Sequence, residues 1–314
     1  MARTSFTLAG VPLKNRVLVA SGTYGYGDDC RDLADPSLLG GIITKSLSLK
    51  PRPGNPPVRI AETPSGMLNS IGLANIGVRR FIQEKLPFLK TLDTAVFANI
   101  AASTVEEYCE VLRMLDGEEG IDGYEINVSC PNVREGGLTF GTNVDSVAAI
   151  TRKLRALTRR PLVIKLTPNV THIAEFARAA EGEGADAVSV INTLIGMAID
   201  IRTRRPVLST VTGGLSGPAI KPVALAKVYE TARAVRIPVL GIGGIASAAD
   251  AIEFLLAGAT AVQVGTANFI DPAAGIRIAE GIAAYCDSNG VDDAGALVGA
   301  LDAGTGVSVV DSWL

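Results

Sequence analysis

Two glycine-ended runs near the end of the chain indicate its architecture: Val239-Leu240-Gly241-Ile242-Gly243-Gly244 and Ala261-Val262-Gln263-Val264-Gly265-Thr266. Each run is short and largely aliphatic, as a buried strand is, and a helical pattern follows each of them. Glycine lets the backbone approach a ligand closely, so amide groups at these turns could surround a phosphate. α/β barrels bind phosphate after their seventh and eighth strands, which suggests that these runs are those strands.

Six similar runs come earlier in the chain. The predicted strands cover residues 16–21, 41–46, 94–100, 123–129, 161–166, 187–191, 238–243 and 261–265, and the helices cover 36–39, 78–89, 104–115, 144–157, 171–183, 222–235, 248–256 and 273–287. Eight alternating units predict a parallel sheet, and eight strands close a barrel. The alternative, an open doubly wound sheet, would carry its glycine-rich loop after the first strand. The sequence therefore predicts one (β/α)8 TIM barrel domain over residues 1–314, with no element assigned after Gly290.

The composition limits the classes of partner. The 314 residues are 47% hydrophobic and 19% charged, with a formal net charge of −3. That balance gives no broad basic surface, which argues against nucleic acid or an anionic membrane. No run approaches the ~18 apolar residues that suggest a membrane helix. The four cysteines lack C-x-x-C spacing, so we expect neither an iron–sulfur nor a zinc site on this chain. These features predict a cytoplasmic protein.

Two connections in the predicted barrel are too long to be simple turns. They cover residues 47–76 and 192–221. Both leave the carboxyl ends of strands, which is the face at which barrel active sites lie. Long loops inside a compact domain usually serve a function. We therefore expect both connections to contribute to a site at that face.

Two lysines stand at the ends of predicted strands, Lys45 after the second and Lys165 after the fifth. Each ammonium would enter the mouth of the barrel, where a buried charge is costly unless an anion lies nearby. For either residue alone, a lysine that extends to solvent is an equally good interpretation. The two together favour an anionic ligand, and a reduced flavin is one such anion.

Several asparagines are also expected at this mouth. They are Asn69, Asn99, Asn127, Asn132 and Asn192. An amide offers both a donor and an acceptor, which suits a heterocycle of alternating carbonyl and N–H groups, such as a pyrimidine or the edge of a flavin. Any one of them alone could instead be a turn or helix-cap residue.

A cysteine follows predicted strand four, in the segment Asn127-Val128-Ser129-Cys130-Pro131-Asn132. The single histidine of the chain, His172, is expected in the first turn of a helix. With that histidine discounted, the thiolate of Cys130 is the favoured general base near neutral pH. Cys109 and Cys286 are instead expected to be small buried hydrophobic residues.

The segment around Cys130 resembles the signature of the class 1 dihydroorotate dehydrogenases, in which the cysteine is the catalytic base. Further resemblances are Ala20-Ser21-Gly22-Thr23, Thr44-Lys45-Ser46, Asn69-Ser70-Ile71-Gly72-Leu73, Lys165-Leu166-Thr167-Pro168-Asn169, Asn192-Thr193, Gly214-Leu215-Ser216-Gly217-Pro218-Ala219-Ile220-Lys221-Pro222, Gly243-Gly244 and Gly265-Thr266. The resemblance covers nearly all of the chain before residue 288. It implies an FMN-containing barrel that oxidises dihydroorotate to orotate in pyrimidine (UMP) biosynthesis.

The resemblance also implies roles for individual residues. Cys130 would remove the C5 proton of dihydroorotate while the C6 hydride passes to FMN. FMN would contact Ser21, Lys45, Ser46, Asn99, Asn127, Lys165, Ile191, Gly217, Gly243, Gly244, Gly265 and Thr266. The substrate would contact Lys45, Asn69, Ser70, Ile71, Gly72, Leu73, Asn127, Asn192 and Thr193.

The segments Thr203-Arg204-Arg205-Pro206 and Thr212-Gly213-Gly214-Leu215-Ser216-Gly217 are more similar to the NAD-linked branch of the family (class 1B) than to the fumarate-linked one. In that branch a second subunit carries FAD and a 2Fe–2S cluster, which implies a homodimer of this chain within a heterotetramer. Other hypotheses stay open: a fumarate-linked enzyme, another FMN barrel that reduces a pyrimidine base, a flavin-free aldolase or isomerase with a Schiff base at Lys165, or a non-catalytic scaffold.

Overall fold

The chain folds into a closed barrel of parallel strands. A computed structural model describes residues 2–129, 134–135, 138–304 and 306. The barrel strands are β1 (Val17–Val19), β2 (Gly41–Ile43), β3 (Ala95–Ile100), β4 (Gly123–Asn127), β5 (Leu162–Leu166), β6 (Ala187–Val190), β7 (Val239–Ile242) and β8 (Ala261–Val264). Each pairs in parallel with its neighbours along the chain, and β8 pairs with β1 to close the ring. The predicted (β/α)8 barrel is confirmed, and every predicted strand contains the observed one.

Helices surround the barrel. They are α1 (Val78–Glu84), α2 (Leu86–Leu89), α3 (Val105–Asp116), α4 (Val144–Arg155), α5 (Ile173–Gly182), α6 (Lys221–Ala234), α7 (Ala248–Leu256), α8 (Ala267–Ile270) and α9 (Ala274–Ser288). The predicted helix over residues 78–89 is divided, because Lys85 ends α1 and Pro87 fits the first turn of α2. The predicted helix over residues 36–39 is a 3₁₀ turn, Pro36–Leu38. Ser247 caps α7 and forms a capping box with Asp250.

Side chains fill the barrel interior in layers, because alternate residues of each strand point inward. One layer is apolar and contains Leu18, Ile43, Phe97, Val163, Ala187, Leu240 and Ala261. An amino-terminal hairpin, Phe6–Leu8 paired with Val11–Leu13, packs its buried Leu8 and Leu13 against this layer. The hairpin therefore covers the amino-terminal end of the barrel, and the opposite end remains for a site.

The two long connections fold together into an antiparallel sheet. The first contributes Ile60–Thr63 and Gly66–Asn69, and the second contributes Leu194–Gly196 and Gly213–Ser216. The two connections join where Gly66–Asn69 pairs with Gly213–Ser216. The sequence patterns predict both connections but not this sheet, because paired residues such as Asn69 and Gly214 lie 145 positions apart. The sheet unites the carboxyl-terminal extensions of β2 and β6.

Shorter elements complete the described part of the chain. Two small pairs join Ile199–Asp200 to Arg205–Pro206 and Arg134–Glu135 to Leu138–Thr139, and further 3₁₀ turns are Asp28–Cys30, Phe140–Thr142, Pro218–Ile220 and Ala294–Leu297. The segment after α9 returns to the amino terminus, where Asp293 pairs with Arg3. The amide of Gly299 donates to the carbonyl of Leu255 in α7 at 2.9 Å. Residues 291–301, which lie in the stretch without a predicted element, thus pack against α7, α9 and the amino terminus.

Candidate active site

The carboxyl ends of the barrel strands carry most of the predicted ligand residues. Asn99 and Asn127 lie at the ends of β3 and β4, Lys165 near the end of β5, and Ile191, Gly243 and Gly265 directly after β6, β7 and β8. In a closed parallel barrel these ends share one rim, so residues distant in sequence become neighbours. Their contacts divide them into three groups.

Two predicted substrate residues, Asn127 and Asn192, are joined through a buried serine. The Ser129 hydroxyl donates to Asn127 Oδ1 at 2.7 Å, and Asn192 Nδ2 donates to Ser129 Oγ at 2.6 Å. The Tyr108 hydroxyl holds the Asn127 carbonyl at 2.7 Å, and the Thr193 amide donates to Asn192 Oδ1 at 2.8 Å. These hydrogen bonds fix the orientation of the Asn127 side chain. Within the described residues no acceptor contacts its Nδ2, so the N–H groups of that amide are available to a ligand.

A second group surrounds Lys165, which is 6% exposed. Its ammonium lies 3.4 Å from Glu125 Oε1, and Asn99 Nδ2 donates to the same oxygen at 2.7 Å. Asn99 Oδ1 in turn accepts from the Ser46 hydroxyl at 2.6 Å. Three predicted cofactor residues, from β3, β5 and the end of β2, therefore form one connected set with a buried carboxylate.

Lys45 follows β2 and is separate from that set. Burial lowers the pKa of its ammonium, the charge of Asp29 offsets part of that effect, and the charge of Arg59 adds to it. In the part of the chain that the structure describes, no acceptor lies within hydrogen-bond distance of Lys45 Nζ. A partly desolvated cation without such a partner is suited to bind an anion.

The third group consists of the glycines after β7 and β8, which differ in the space around them. Gly243 has a φ of +130°, and a Cβ there would lie 2.6 Å from Ala224 Cβ and 3.5 Å from Ile191 Cγ1. Its need for glycine comes from the protein's own packing. A Cβ at Gly265 would meet nothing nearer than Ala20 Cβ, at 3.7 Å. The backbone at Gly265 therefore borders open space, as a phosphate cradle requires.

The other predicted cofactor residues border these turns. Thr266 donates to the Ser216 hydroxyl at 2.9 Å, and Gly217 follows that serine. A Cβ at Gly244 would lie 2.9 Å from the Gly217 carbonyl oxygen, so the two backbones are adjacent. Ser21 follows β1, the neighbour of β8 in the ring. The phosphate-side residues thus come together across β1, β7, β8 and the second long connection.

Five predicted substrate residues belong to the first long connection: Asn69, Ser70, Ile71, Gly72 and Leu73. Asn69 ends a strand of the antiparallel sheet, and its Nδ2 donates to the Gly214 carbonyl at 3.3 Å. The Ser70 hydroxyl accepts from Asn55 Nδ2 at 2.9 Å. The structure places this segment in the sheet and the turn that follows it, and Gly214, the partner of Asn69, lies against Thr193 after β6.

Cys130, the predicted base, and Asn132 lie outside the described residues. Glu125 and Ser129, by contrast, are residues at the site that the sequence analysis missed. Glu125 carried a signal, since it is an acidic residue in the middle of a strand predicted to be buried. Ser129 carried none, because its role depends on a contact with Asn192, 63 residues away.

The chain is a (β/α)8 barrel, and these groups form a candidate ligand site at its mouth. Its mouth combines a glycine cradle, two buried or half-buried lysines and oriented amides, which suits a phosphorylated, anionic cofactor beside a small polar heterocycle. Among the described residues no group of His, Cys, Asp and Glu could hold a metal ion. Over the same residues, no helix combines the length and apolar character needed to cross a membrane.

Comparisons with known proteins specify the family. Residues 3–285 match the family described as dihydroorotate dehydrogenase. The chain is 55% identical over 297 residues to "Dihydroorotate dehydrogenase B (NAD(+)), catalytic subunit" of Geotalea uraniireducens, covering 95% of this chain and 97% of that protein. Proteins of the same name from Trichlorobacter lovleyi and Geobacter sulfurreducens are 54% and 52% identical, each covering 95% of this chain and 98% of the relative. The chain belongs to the dihydroorotate dehydrogenase family.

Replacing Lys45 with methionine should stabilise the ligand-free chain near neutral pH. Burial lowers the pKa of Lys45 below its usual 10.5, so the folded state is penalised whenever this group is protonated. Between the lowered pKa and 10.5 the unfolded chain binds the proton and the folded chain does not, so the penalty fades as pH rises. The gain should be largest near pH 7 and disappear above 10.5.

Urea unfolding midpoints measured over this pH range test the expectation. Lys50→Met, at an exposed position, is the matched control and should change the midpoint little at any pH. A lower midpoint for Lys45→Met at pH 7, or a gain that does not depend on pH, would contradict it.

Proposed function

We propose that this chain oxidises dihydroorotate to orotate with bound FMN, as a step of pyrimidine biosynthesis. The observation that carries the proposal is the convergence, at one barrel mouth, of the Lys165 set and the Asn127–Ser129–Asn192 chain of hydrogen bonds. The first supplies a buried cation for an anionic cofactor, and the second supplies oriented amides for a pyrimidine ring. Membership of the dihydroorotate dehydrogenase family supports both assignments.

The residues fit FMN. The open backbone at Gly265 would hold its phosphate, with Thr266, Gly244 and Gly217 beside it. Lys165, Asn99 and Ser46 would face its ring, and Ser21, Asn127, Ile191 and Gly243 are proposed to line the same space. When bound, FMN supplies the acceptor for the two electrons that dihydroorotate loses. The protein's contribution is to hold that ring against the substrate.

The substrate would lie between the amide chain and the antiparallel sheet. Asn127 Nδ2, which has no acceptor among the described residues, would donate to a pyrimidine carbonyl, and Asn192 and Thr193 would complete that side. The segment Asn69 to Leu73 would cover the ring from the sheet. Lys45 would pair with the substrate carboxylate or with FMN, because its ammonium is partly desolvated and has no hydrogen-bond acceptor in the described part of the chain.

Cys130 is proposed as the general base. It would take the C5 proton of dihydroorotate as the C6 hydrogen leaves with its electron pair, so the C5–C6 double bond of orotate forms. Cys130 directly follows Ser129, whose hydroxyl contacts both substrate asparagines. The backbone before Cys130 is therefore fixed relative to Asn127 and Asn192, which would align the thiolate with the ring they hold.

We further propose that the electrons pass to NAD through a second subunit. The similar proteins from Geotalea and Geobacter are named as NAD(+) catalytic subunits, a description that implies a partner. By the resemblance, that partner is an iron–sulfur FAD protein, and the assembly is a cytoplasmic heterotetramer built on a homodimer of this chain. The whole chain is proposed to act there as a single domain.

Gly265→Ala should greatly reduce the FMN content of the purified protein without unfolding it. The protein itself leaves 3.7 Å around the new Cβ, so a loss of FMN would come from conflict with the phosphate. Absorbance near the flavin bands and circular dichroism measure the two effects. Gly182→Ala, where a Cβ meets nothing within 4 Å, is the control and should stay yellow. Full FMN content in Gly265→Ala would move the phosphate elsewhere.

Cys130→Ala should keep its FMN, but dihydroorotate should reduce that FMN more slowly than in the wild type. Loss of a general base should slow the bleaching of FMN by dihydroorotate ~10²-fold or more, whereas Cys130→Ser should recover part of the rate at high pH. Stopped-flow absorbance under anaerobic conditions gives these rates. Cys109→Ala, in α3, should react at the wild-type rate. A fast Cys130→Ala reaction would show that another group is the base.

The chain without its partner should pass electrons from dihydroorotate to dyes or oxygen but should fail to reduce NAD. The co-purified complex with the iron–sulfur subunit should reduce NAD, since that subunit would supply the redox groups between FMN and NAD. Steady-state assays with each acceptor make the comparison. Comparable NAD reduction by the pure chain would refute the two-subunit proposal. A preference for fumarate, with no complex formed, would favour the fumarate-linked branch.

A further inference from the structure

A layer of buried polar side chains lies inside the barrel, beneath the mouth. Its members come from five strands: Asn99, Glu125, Lys165, Ser189 and Gln263. Four of them follow, by two residues along their strands, members of the apolar layer that the amino-terminal hairpin covers. Alternation along each strand therefore places this layer directly above the apolar one, on the side of the ligand site.

Glu125 is the centre of this layer. Its Oε2 accepts from the Ser189 hydroxyl and from Gln263 Nε2, both at 2.8 Å. Its Oε1 accepts from Asn99 Nδ2 at 2.7 Å and lies 3.4 Å from Lys165 Nζ. The two donors from β6 and β8 thus fix one oxygen, and the fixed carboxylate presents the other to two proposed cofactor residues. Glu125 itself is 0% exposed and does not reach the mouth.

We infer that Glu125 is a positioning residue. It holds the Lys165 ammonium in the position from which it would face FMN, and it offsets part of that positive charge. The inference rests on the proposed function. A buried carboxylate is costly unless it is paired and fully hydrogen-bonded, and here one cation and three neutral donors satisfy it. Because Glu125 and Lys165 together carry no net charge, the carboxylate cancels part of the electric field that the Lys165 ammonium exerts on the cofactor.

Glu125→Gln tests the charge while preserving the shape. The new amide keeps a carbonyl oxygen for Asn99 and Lys165, and its nitrogen can donate to Gln263 Oε1, a buried atom with no partner in the described residues. The positive charge of Lys165 is then no longer offset by a carboxylate, so it favours the reduced, more negatively charged form of FMN. Compared with the wild type, the variant should bind reduced FMN about tenfold more tightly relative to oxidised FMN. That change corresponds to a rise of ~30 mV in the two-electron midpoint potential of the bound FMN.

The potential is measured on FMN-loaded wild type, Glu125→Gln and Glu230→Gln. Glu230 is also buried and pairs with Lys227 at 3.1 Å, but it lies in α6 outside the barrel, so its variant should leave the potential unchanged. An unchanged or lower potential in Glu125→Gln would overturn the inference. If instead the wild type binds no FMN, it is the proposed function that fails.

A second measurement needs no cofactor. Lys165→Met leaves the Glu125 carboxylate buried without its cation and should lower the urea midpoint of the FMN-free protein. Adding Glu125→Gln in the same chain should recover most of that loss, because both charges are then gone. A double variant less stable than Lys165→Met alone would show that the two groups do not compensate each other, and would overturn the inference even if Glu125→Gln cannot be purified.

Discussion

Because β8 pairs with β1, the eight parallel strands of this protein close into a ring in which every strand has a hydrogen-bonded neighbour on both sides. Closure brings the carboxyl end of every strand to one rim. Residues as distant in sequence as Ser21 and Gly265 then border the same space, and every proposed ligand residue takes its position from a strand end or from the sheet beyond it. The opposite end is covered by the amino-terminal hairpin, so the barrel offers one open mouth.

Inside that ring the side-chain layers change from apolar to polar along the strands. Phe97, Val163 and Leu240 belong to a layer that holds the barrel together, and Glu125 lies in the layer above it. An ion pair at this depth is weak evidence for stability, because apolar residues of the same volume often serve as well. Its place beneath the mouth instead points to function, which is where proteins accept such local costs.

Much of this arrangement could be predicted from the sequence. The barrel, its strands and the turn glycines follow from patterns a few residues long, such as the aliphatic run that ends at Gly265. Glu125 was marked only as an acidic residue in a buried strand, and Ser129 was not marked at all. Their roles depend on distant partners: Asn99 and Gln263 lie 26 and 138 residues from Glu125, and Asn192 lies 63 residues from Ser129. The antiparallel sheet was missed for the same reason. The division of α1 from α2 was missed because proline is compatible with the first turn of a helix, so Pro87 did not mark the break.

The proposed function requires that this barrel itself transfers hydrogen from dihydroorotate to its own FMN. Anaerobic single-turnover mixing of the yellow protein with dihydroorotate, in the absence of any acceptor, tests it most directly. The flavin absorbance should bleach, and one orotate should form for each FMN bleached. Orotate formed while FMN remains oxidised, or bleaching absent at saturating dihydroorotate, would contradict it.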